Sequence, residues 1–330
     1  MSLPALPAAP DCLLDTRGLP RHGRYQGHIA HLDWQAMPLS LPQRLLRPLR
    51  HKRWQYLALT HADYVIGLAV VDVGWTGAAF AYLFDRCQGR LLADVAADGF
   101  PLHGAHIADQ AFAAARFASR KLSVRFSPQE RRLTVEVQSA RLQLAAHLDL
   151  ASTPPVLAAI APANWLAHST HKSGALHVSG FADCQGQRFS LDGAVASLDY
   201  SNGLLARDTD WRWASAHSPT LGFNLQQGYM GEAENAIWLQ DQLYPLSAVR
   251  FDFDPQQPMH AWQICSEDGL LQLQFTPEGL REKNQNLLIA SSRYIQAIGR
   301  FDGYLTDPRS GSRHVVQALC GVTEDHYARW

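Results

Sequence analysis

Charged residues are scarce in this chain of 330 residues, where Asp, Glu, Lys and Arg make up 18% of the total. The 29 Lys and Arg residues nearly cancel the 30 Asp and Glu residues, so the formal net charge is -1. A chain so balanced exerts no long-range attraction on phosphate backbones or anionic lipid. We therefore expect no nucleic-acid partner.

The sequence also lacks paired cysteines and long apolar runs. Its five cysteines are scattered and never form a CxxC pair, which is typical of a reduced, cytoplasmic protein. No apolar run reaches the length of a membrane-spanning helix, so we expect no integral membrane association. The start of the chain has no basic or continuous apolar region, and Pro4, Pro7 and Pro10 interrupt it, which argues against a signal peptide.

Sequence motifs for cofactors and metals are absent as well. There is no GxSxG, no P-loop and no GxGxxG, so serine-hydrolase, NTPase and dinucleotide-binding functions have little support. Three HxxH pairs occur, at His28 and His31, His103 and His106, and His168 and His171. None has a fixed third ligand or an HExxH pattern, so we expect neither a metal nor a cofactor.

What the sequence does contain is a succession of strand patterns. Segments such as KLSVRFS and RLTVEVQ alternate apolar and polar residues, and Asp-Gly and Ser-Gly turn signals recur between strands in the second half. No sustained helical period is present. We predict an all-β protein of two antiparallel barrels or sandwiches packed side by side, with few short helices, because closed sheets leave no exposed edges.

The length of the chain favours two domains. We predict an irregular arm at residues 1–26, a first β-domain at 27–151 and a second at 166–330. The connection at 152–165, STPPVLAAIAPANW, carries three prolines and no alternation, and is the predicted linker.

Two polar segments are expected to be solvated. The basic segment PQRLLRPLRHKRW is partly helical in pattern, and Pro48 should interrupt or end that helix. Its Lys and Arg residues are expected to form a solvated face. Residues 281–286 are likewise expected to lie in a solvated connection between two strands.

The stretch 199–238 is the one in which we expect chemistry. Within it, strand alternation points Asp210 and Arg212 to one face and Trp211 and Trp213 to the other. Inward tryptophans would form a wall for an apolar or planar ligand, whereas an inward carboxylate would have a raised pKa and act as a general acid. The plain alternative is a surface ion pair with tryptophans in the core, and the sequence leaves open which face is inward.

Amide and aromatic side chains nearby extend this candidate site. Buried amides need hydrogen-bond partners, so inward Asn224 and Asn235 would imply either a polar network or a ligand. Trp238 follows on the next strand, and Tyr294 shares a strand face with Gln296. The predicted ligand-binding residues are Trp211, Trp213, Asn224, Asn235, Trp238 and Tyr294.

Several blocks of the sequence together resemble the bacterial family called domain of unknown function 2804. They are KRWQYLALTHADYVIGLAVVDVGWTGAAFAYLFDR, DTDWRWASA, GFNLQQG, ENAIW, GLLQLQFTPEG and SRYIQAIGRFDGYL, spanning about residue 22 to about residue 320. More remotely, the two-halved β architecture is similar to tandem lipocalin-like proteins, which include carotenoid hydratases, AttH-type proteins and some fungal cyclases.

The remote resemblance implies two calycin-type barrels with an apolar site between or within them. In hydratases of that broad group, an acid protonates an alkene and water traps the resulting cation. Here the acid would be Asp210, Asp199 or Glu234, and the tryptophan π faces would stabilise the cation.

We therefore expect the chain to bind a hydrophobic small molecule, such as an isoprenoid or acyl compound. If the protein is an enzyme, we expect it to hydrate, isomerise or cyclise that molecule. One alternative is a non-catalytic lipid carrier or stress-related binding protein. Another is a carbohydrate-active β protein, since sugars stack on aromatic faces and carboxyl pairs about 5 to 10 Å apart cleave glycosides.

Overall fold

The computed structural model describes residues 5–99, 105–163, 166–287 and 290–329, and within these ranges it contains twenty-four strands and one helix. The helix is α1 (Leu41–Arg50). The strands are β1 (Gly23–Gln26), β2 (His51–Thr60), β3 (Tyr64–Asp72), β4 (Gly77–Asp85), β5 (Arg90–Asp98), β6 (Ala105–Ile107), β7 (Ala115–Ala118), β8 (Leu122–Gln129), β9 (Arg132–Ser139), β10 (Leu142–Asp149), β11 (Leu157–Ala163), β12 (Leu166–Lys172), β13 (Leu176–Cys184), β14 (Gln187–Ser190), β15 (Val195–Leu204), β16 (Asp208–His217), β17 (Leu221–Gly228), β18 (Ala236–Leu239), β19 (Gln242–Pro245), β20 (Val249–Asp252), β21 (Trp262–Ser266), β22 (Leu271–Leu287), β23 (Ala290–Thr306) and β24 (Arg313–Arg329).

The first sheet contains β1 to β15 in the order β5-β4-β3-β2-β15-β13-β10-β9-β8-β7-β6. Strand β12 also pairs with β15, β11 pairs with β12 and β1, and β14 pairs with β13. All of these pairs are antiparallel, as the alternating sequences of β8 and β9 predict. One large apolar cluster fills the inner side of this sheet.

The second sheet contains β16 to β24 in the order β19-β18-β17-β16-β24-β23-β22-β21-β20. The side chain of Gln227, at the end of β17, accepts a hydrogen bond from the backbone N–H of Phe251 in the edge strand β20 at 3.0 Å. The sheet therefore curls until its edge approaches its middle. A second apolar cluster lies inside this curl, and a third, which includes Tyr56, Phe84, Trp213 and Ile298, joins the two sheets.

The all-β prediction is confirmed: the protein is built of two curled antiparallel sheets, with a single helix among the residues described. The solvated connection predicted at 281–286 is wrong. These residues continue β22, and Arg281 is 3% exposed because Asp94 and three aromatic rings surround its guanidinium group.

The predicted linker 152–165 contains strand β11, and the first sheet continues to Leu204. Proline is tolerated in β11 because β1 covers only Leu157–Ile160, so Pro162 lies where that side of the strand is an edge. The predicted arm 1–26 ends in β1, which pairs with β11. The chain crosses from the first sheet to the second at residues 205–207. The division into two domains remains a prediction, since sheet membership alone does not define a folding unit.

Helix α1 begins after Ser40, whose backbone N–H donates to Oε1 of Gln43 at 2.8 Å. It continues two residues past Pro48, which costs little because the helix then ends. The predicted solvated basic face is only partly correct, because the leucines of α1 are exposed while Arg47 and Arg50 are half-buried. No helix in the described ranges is long and apolar enough to cross a membrane.

Candidate functional site

A cavity of about 140 Å³ lies between the two sheets. Its wall is mainly aromatic, and both sheets contribute to it. The aromatic residues are Trp54, Tyr56, Phe80, Trp211, Trp213, Tyr229 and Tyr294. An apolar protein cavity of about 150 Å³ holds benzene. This cavity therefore has room for about one ring or one short branched hydrocarbon group.

Strand β16 turns its tryptophans toward this cavity. Trp211 and Trp213 line it, whereas Asp210 is exposed and Arg212 points away toward Asp325, with 3.6 Å between the charged groups. The structure thus answers the question that alternation left open: the aromatic face of β16 is the inward one.

Aromatic contacts across the cavity join the two sheets. Trp54 of β2 stacks on Trp211 of β16, with 6.3 Å between ring centroids and 15° between planes. Tyr56 of β2 meets Trp213 edge to face at 6.0 Å. Pairs of this geometry stabilise the packing beyond the area they bury. The rings are therefore held as a wall.

A buried charged cluster interrupts this aromatic wall. Lys172 and Asp199 are direct partners in the ladder between β12 and β15, and Glu234 comes from the loop between β17 and β18 of the second sheet. The Lys172 Nζ atom lies 2.6 Å from Asp199 Oδ2 and 3.3 Å from Glu234 Oε2. The three side chains are 4%, 14% and 6% exposed, so water screens these charges little.

Burial decides the protonation of this cluster. It raises the pKa of Asp199 and of Glu234, and the nearby Lys172 ammonium offsets only part of that rise. For Lys172, burial disfavours the ammonium, but the two carboxyl groups outweigh it and the pKa is raised. Asp199 lines the cavity, and its Oδ1 atom has no hydrogen-bond partner in the described part of the chain.

A third carboxyl group, that of Glu324 in β24, also lines the cavity. Its Oε1 atom accepts a hydrogen bond from Trp211 Nε1 at 3.0 Å, and its Oε2 atom accepts one from Gln296 Nε2 at 3.5 Å. The His326 Nδ1 atom lies 3.5 Å from Oε1. Glu324 therefore orients the Trp211 ring.

His168, on β12, brings an unpartnered imidazole to the cavity wall. It is 1% exposed, and within the described ranges neither ring nitrogen has a hydrogen-bond partner. Burial, assisted by the Lys172 charge, lowers the pKa of His168 to about 3, so the ring is neutral. A neutral imidazole offers one donor and one acceptor to a bound molecule.

Five of the nine predicted site residues line the cavity: Asp199, Trp211, Trp213, Glu234 and Tyr294. Asp210 does not, because it lies on the exposed face of β16. Trp238 also lies apart, packed edge to face on His217 at 5.2 Å with its Nε1 atom donating to the Pro155 carbonyl at 2.6 Å.

Asn224 and Asn235 belong to a buried polar network beside the cavity. The Asn224 side chain accepts from Trp213 Nε1 and donates to the Glu234 carbonyl, each at 2.9 Å. Asn235 accepts from the Gln226 N–H at 2.6 Å. These amides fix the Trp213 ring and the loop that carries Glu234 by hydrogen bonds. Of the two possibilities that the sequence left open, a polar network or a ligand, they form the polar network.

Sequence reasoning missed several wall residues, above all Lys172, Trp54, His168 and Glu324. A signal for Lys172 was available: the chain has only four lysines, and this one ends the strand LAHSTHK, in which polar residues are unusually dense. Every residue of that strand is buried. Buried polar strands of this kind point to a network or a site.

Among the described residues, the two histidines of the pair His168 and His171 point to opposite faces of β12. His168 faces the cavity, but His171, three residues along the same strand, lies on the other face and accepts a hydrogen bond from the Ile29 N–H at 3.1 Å. His103 lies outside the described residues. Within those residues, no group of three or more His, Cys, Asp and Glu side chains could hold a metal ion.

Two curled antiparallel sheets of this kind define a lipocalin-like, AttH-type fold. The chain belongs to the family described as domain of unknown function (DUF2804), whose sequence profile matches residues 7–330. This confirms the family resemblance. A comparison with curated proteins finds no match to the chain.

Three solved structures show the same fold. A protein assigned as AttH from Nitrosomonas europaea has a TM-score of 0.52 and 15% identity, covering 88% of this chain and 97% of its own. CghA, solved with Sch210972, has a TM-score of 0.61 and 11% identity, covering 98% and 97%. Kievitone hydratase from Nectria haematococca has a TM-score of 0.51 and 10% identity, covering 84% and 88%. At such identities the likeness shows the fold alone.

Proposed function

We propose that the cavity binds an apolar or amphipathic small molecule and that Asp199 and Glu234 together hold a proton that is passed to it. The observation that carries this proposal is the buried cluster of Lys172 with these two carboxyl groups, set in an aromatic wall. Hydration, isomerisation or cyclisation of an isoprenoid or acyl compound would each begin with such a transfer.

The charge count supports a stored proton. Two carboxylates beside one ammonium would leave an unpaired negative charge in a site with little water, which is costly. One proton shared by Asp199 and Glu234 removes that charge. Burial, which raises the pKa of both groups, favours this state. The pair then acts as one acid with a coupled titration.

In the proposed reaction, the carboxyl proton is transferred to one carbon of a ligand double bond, and the neighbouring carbon becomes a cation. The π faces of Trp54, Trp211 and Trp213 stabilise that charge. After the transfer both carboxyl groups are ionised, and the Lys172 ammonium lies beside them both. Addition of water, with loss of one of its protons to the carboxylate pair, completes a hydration, and loss of a different proton of the ligand to the carboxylate pair completes an isomerisation.

The size of the cavity limits the ligand. About 140 Å³ holds one ring or one isoprene-sized group, so a larger molecule would place only its reacting end inside. Among the described residues the His168 ring nitrogens have no hydrogen-bond partner, which favours a ligand that also carries a hydroxyl or carbonyl group, because the nitrogens gain a partner when such a group binds.

A non-catalytic carrier and a carbohydrate-active protein would each need a site of different chemistry. A carrier needs only the apolar wall, and a buried charged cluster would weaken it without purpose. A carbohydrate-active protein needs hydrogen bonds to many hydroxyl groups, whereas this wall is mainly aromatic and aliphatic carbon. The cluster and the wall together therefore favour an apolar ligand that is protonated.

Native mass spectrometry of the protein, purified gently from its own host, tests the proposal. We expect one retained apolar adduct, lost or strongly reduced in Trp211→Phe. Trp238→Phe is the matched control, because Trp238 does not line the cavity and should keep the adduct. Asp199→Asn should retain an adduct of different mass or structure, the unconverted substrate.

Two other outcomes would argue against proton transfer to an apolar ligand in this cavity. An identical adduct in wild type and Asp199→Asn would support a carrier. A protein with no adduct and no uptake of apolar probes would contradict the proposal and favour a polar ligand.

A further inference from the structure

Helix α1 turns its leucines outward. Leu41 and Leu45 are each 73% exposed, Leu46 is 46% exposed and Leu49 is 51% exposed, and no residue of the helix is buried. Four large apolar side chains are thus exposed together on one ten-residue helix.

Two of the three charged side chains of α1 are less exposed than these leucines. Its charged residues are three arginines: Arg44, whose Nε atom donates to the Leu39 carbonyl at 3.0 Å, and the half-buried Arg47 and Arg50. No Asp or Glu occurs anywhere from residue 34 to residue 62. The leucines thus protrude from a helix whose own charged side chains are all arginines, an arrangement found in helices that lie in the interface of a membrane.

We propose that α1 docks on an anionic lipid surface, with its leucines inserted among the acyl chains and its arginines at the level of the headgroups. The near-zero net charge of the whole chain gives no long-range attraction. Docking instead depends on the local charges and on burial of the leucines, as for other interfacial helices.

A second copy of the chain fits this surface less well. A ten-residue helix is about 15 Å long and about 10 to 12 Å wide, so it presents roughly 150 to 180 Å². Stable protein interfaces bury about 800 Å² on each partner. An acidic protein partner would bind the guanidinium groups, whereas the large side chains that α1 exposes are leucines.

The docking helix adjoins the cavity wall. The Lys52 Nζ atom donates to the Leu49 carbonyl at 2.8 Å, which places the end of α1 on the face of β2 that carries Lys52. Trp54 and Tyr56, at spacings of two residues, share that face and line the cavity. Docking would bring this face near a source of apolar molecules. Uptake of a ligand into the cavity from the lipid rests on the proposed function, whereas docking itself does not.

Flotation of the full chain with vesicles tests the inference. We compare vesicles of phosphatidylcholine with vesicles of phosphatidylcholine and phosphatidylglycerol at 7:3, using wild type and Leu45→Ser/Leu49→Ser. We expect wild type to float with the anionic vesicles and the partition constant of the variant to fall about tenfold or more. Val315→Ser is the matched control, because Val315 is 72% exposed on β24 and should leave flotation unchanged.

Three outcomes would overturn the inference: no flotation of the wild type, equal flotation of the leucine variant, or a solution dimer that the leucine substitutions dissociate. Because the substituted side chains are exposed, thermal unfolding should match wild type and confirm that each variant is folded. Failure of docking would leave the adduct measurement unaffected, so the two proposals fail separately.

Discussion

At the scale of single residues, Lys172 places one ammonium group between two buried carboxyl groups. Its distances of 2.6 Å to Asp199 and 3.3 Å to Glu234 leave no room for a separating water. Removing one partner of a buried ion pair is more damaging than removing all partners, since it leaves an uncompensated charge.

We therefore predict that Lys172→Met lowers the free energy of unfolding by about 3 to 5 kcal/mol near pH 8. Without the ammonium, the pKa values of Asp199 and Glu234 rise further in the folded state. A folded pKa above the unfolded value gives stability at low pH that is lost as the pH rises through it. The loss should thus be smaller at pH 5.

Urea unfolding at pH 5 and pH 8 measures this difference. Lys121→Met is the control, because Lys121 is exposed and should change little at either pH. A loss below about 1 kcal/mol for Lys172→Met, or one independent of pH, would contradict a buried charged cluster.

At the scale of elements, β22 shows how the second sheet packs on the first. A register shift between Pro277 and Gly279 marks a bulge in β22. Beside it, both Arg86 Nε and Nη2 donate to the Glu278 carboxylate at 2.8 Å, joining the two sheets. A Cβ atom at Gly279 would lie 2.4 Å from a ring carbon of Phe84.

Gly279→Ala should therefore lower the free energy of unfolding by about 1 to 3 kcal/mol, because the Phe84 ring and the β22 backbone must move apart. Gly279 does not adopt a positive φ, so the effect would report packing between the sheets and not backbone strain. Equilibrium unfolding in urea measures it. A change within about 0.5 kcal/mol would show that the sheets separate easily at this point.

The sequence predicts regular elements better than irregular ones. The short alternating strands β8 and β9 were predictable because each buries one face. The continuation of β22 beyond Pro277 was not, because a bulge shifts the alternation and the charged side chain of Arg281 is buried against Asp94 of the first sheet. Likewise, the exposure of the α1 leucines depends on which side of the helix meets the protein, which its periodicity does not fix.

At the scale of the whole molecule, the cavity joins residues from Trp54 to His326, far apart in sequence. Alternation within β16 could identify Trp211 and Trp213 as a pair on one face. Alternation could not place Lys172 beside Asp199 and Glu234. The first contact depends on the pairing register of β12 with β15, and the second on a loop of the second sheet. Alternation and turn signals predicted the fold, but no motif predicted the cluster.

We expect the whole protein to retain one proton on Asp199 and Glu234 at neutral pH, when exposed carboxyl groups are ionised. Infrared spectroscopy at pH 7 in H₂O and D₂O detects it as a carbonyl stretching band of a protonated carboxyl group. We predict this band in wild type and in Asp210→Asn, whose substituted side chain is exposed. Asp199→Asn and Glu234→Gln should each lose it, because one remaining carboxylate pairs with Lys172 and needs no proton. A wild-type spectrum without the band would contradict the account, since both carboxyl groups would then be ionised and the cavity would have no acid to donate.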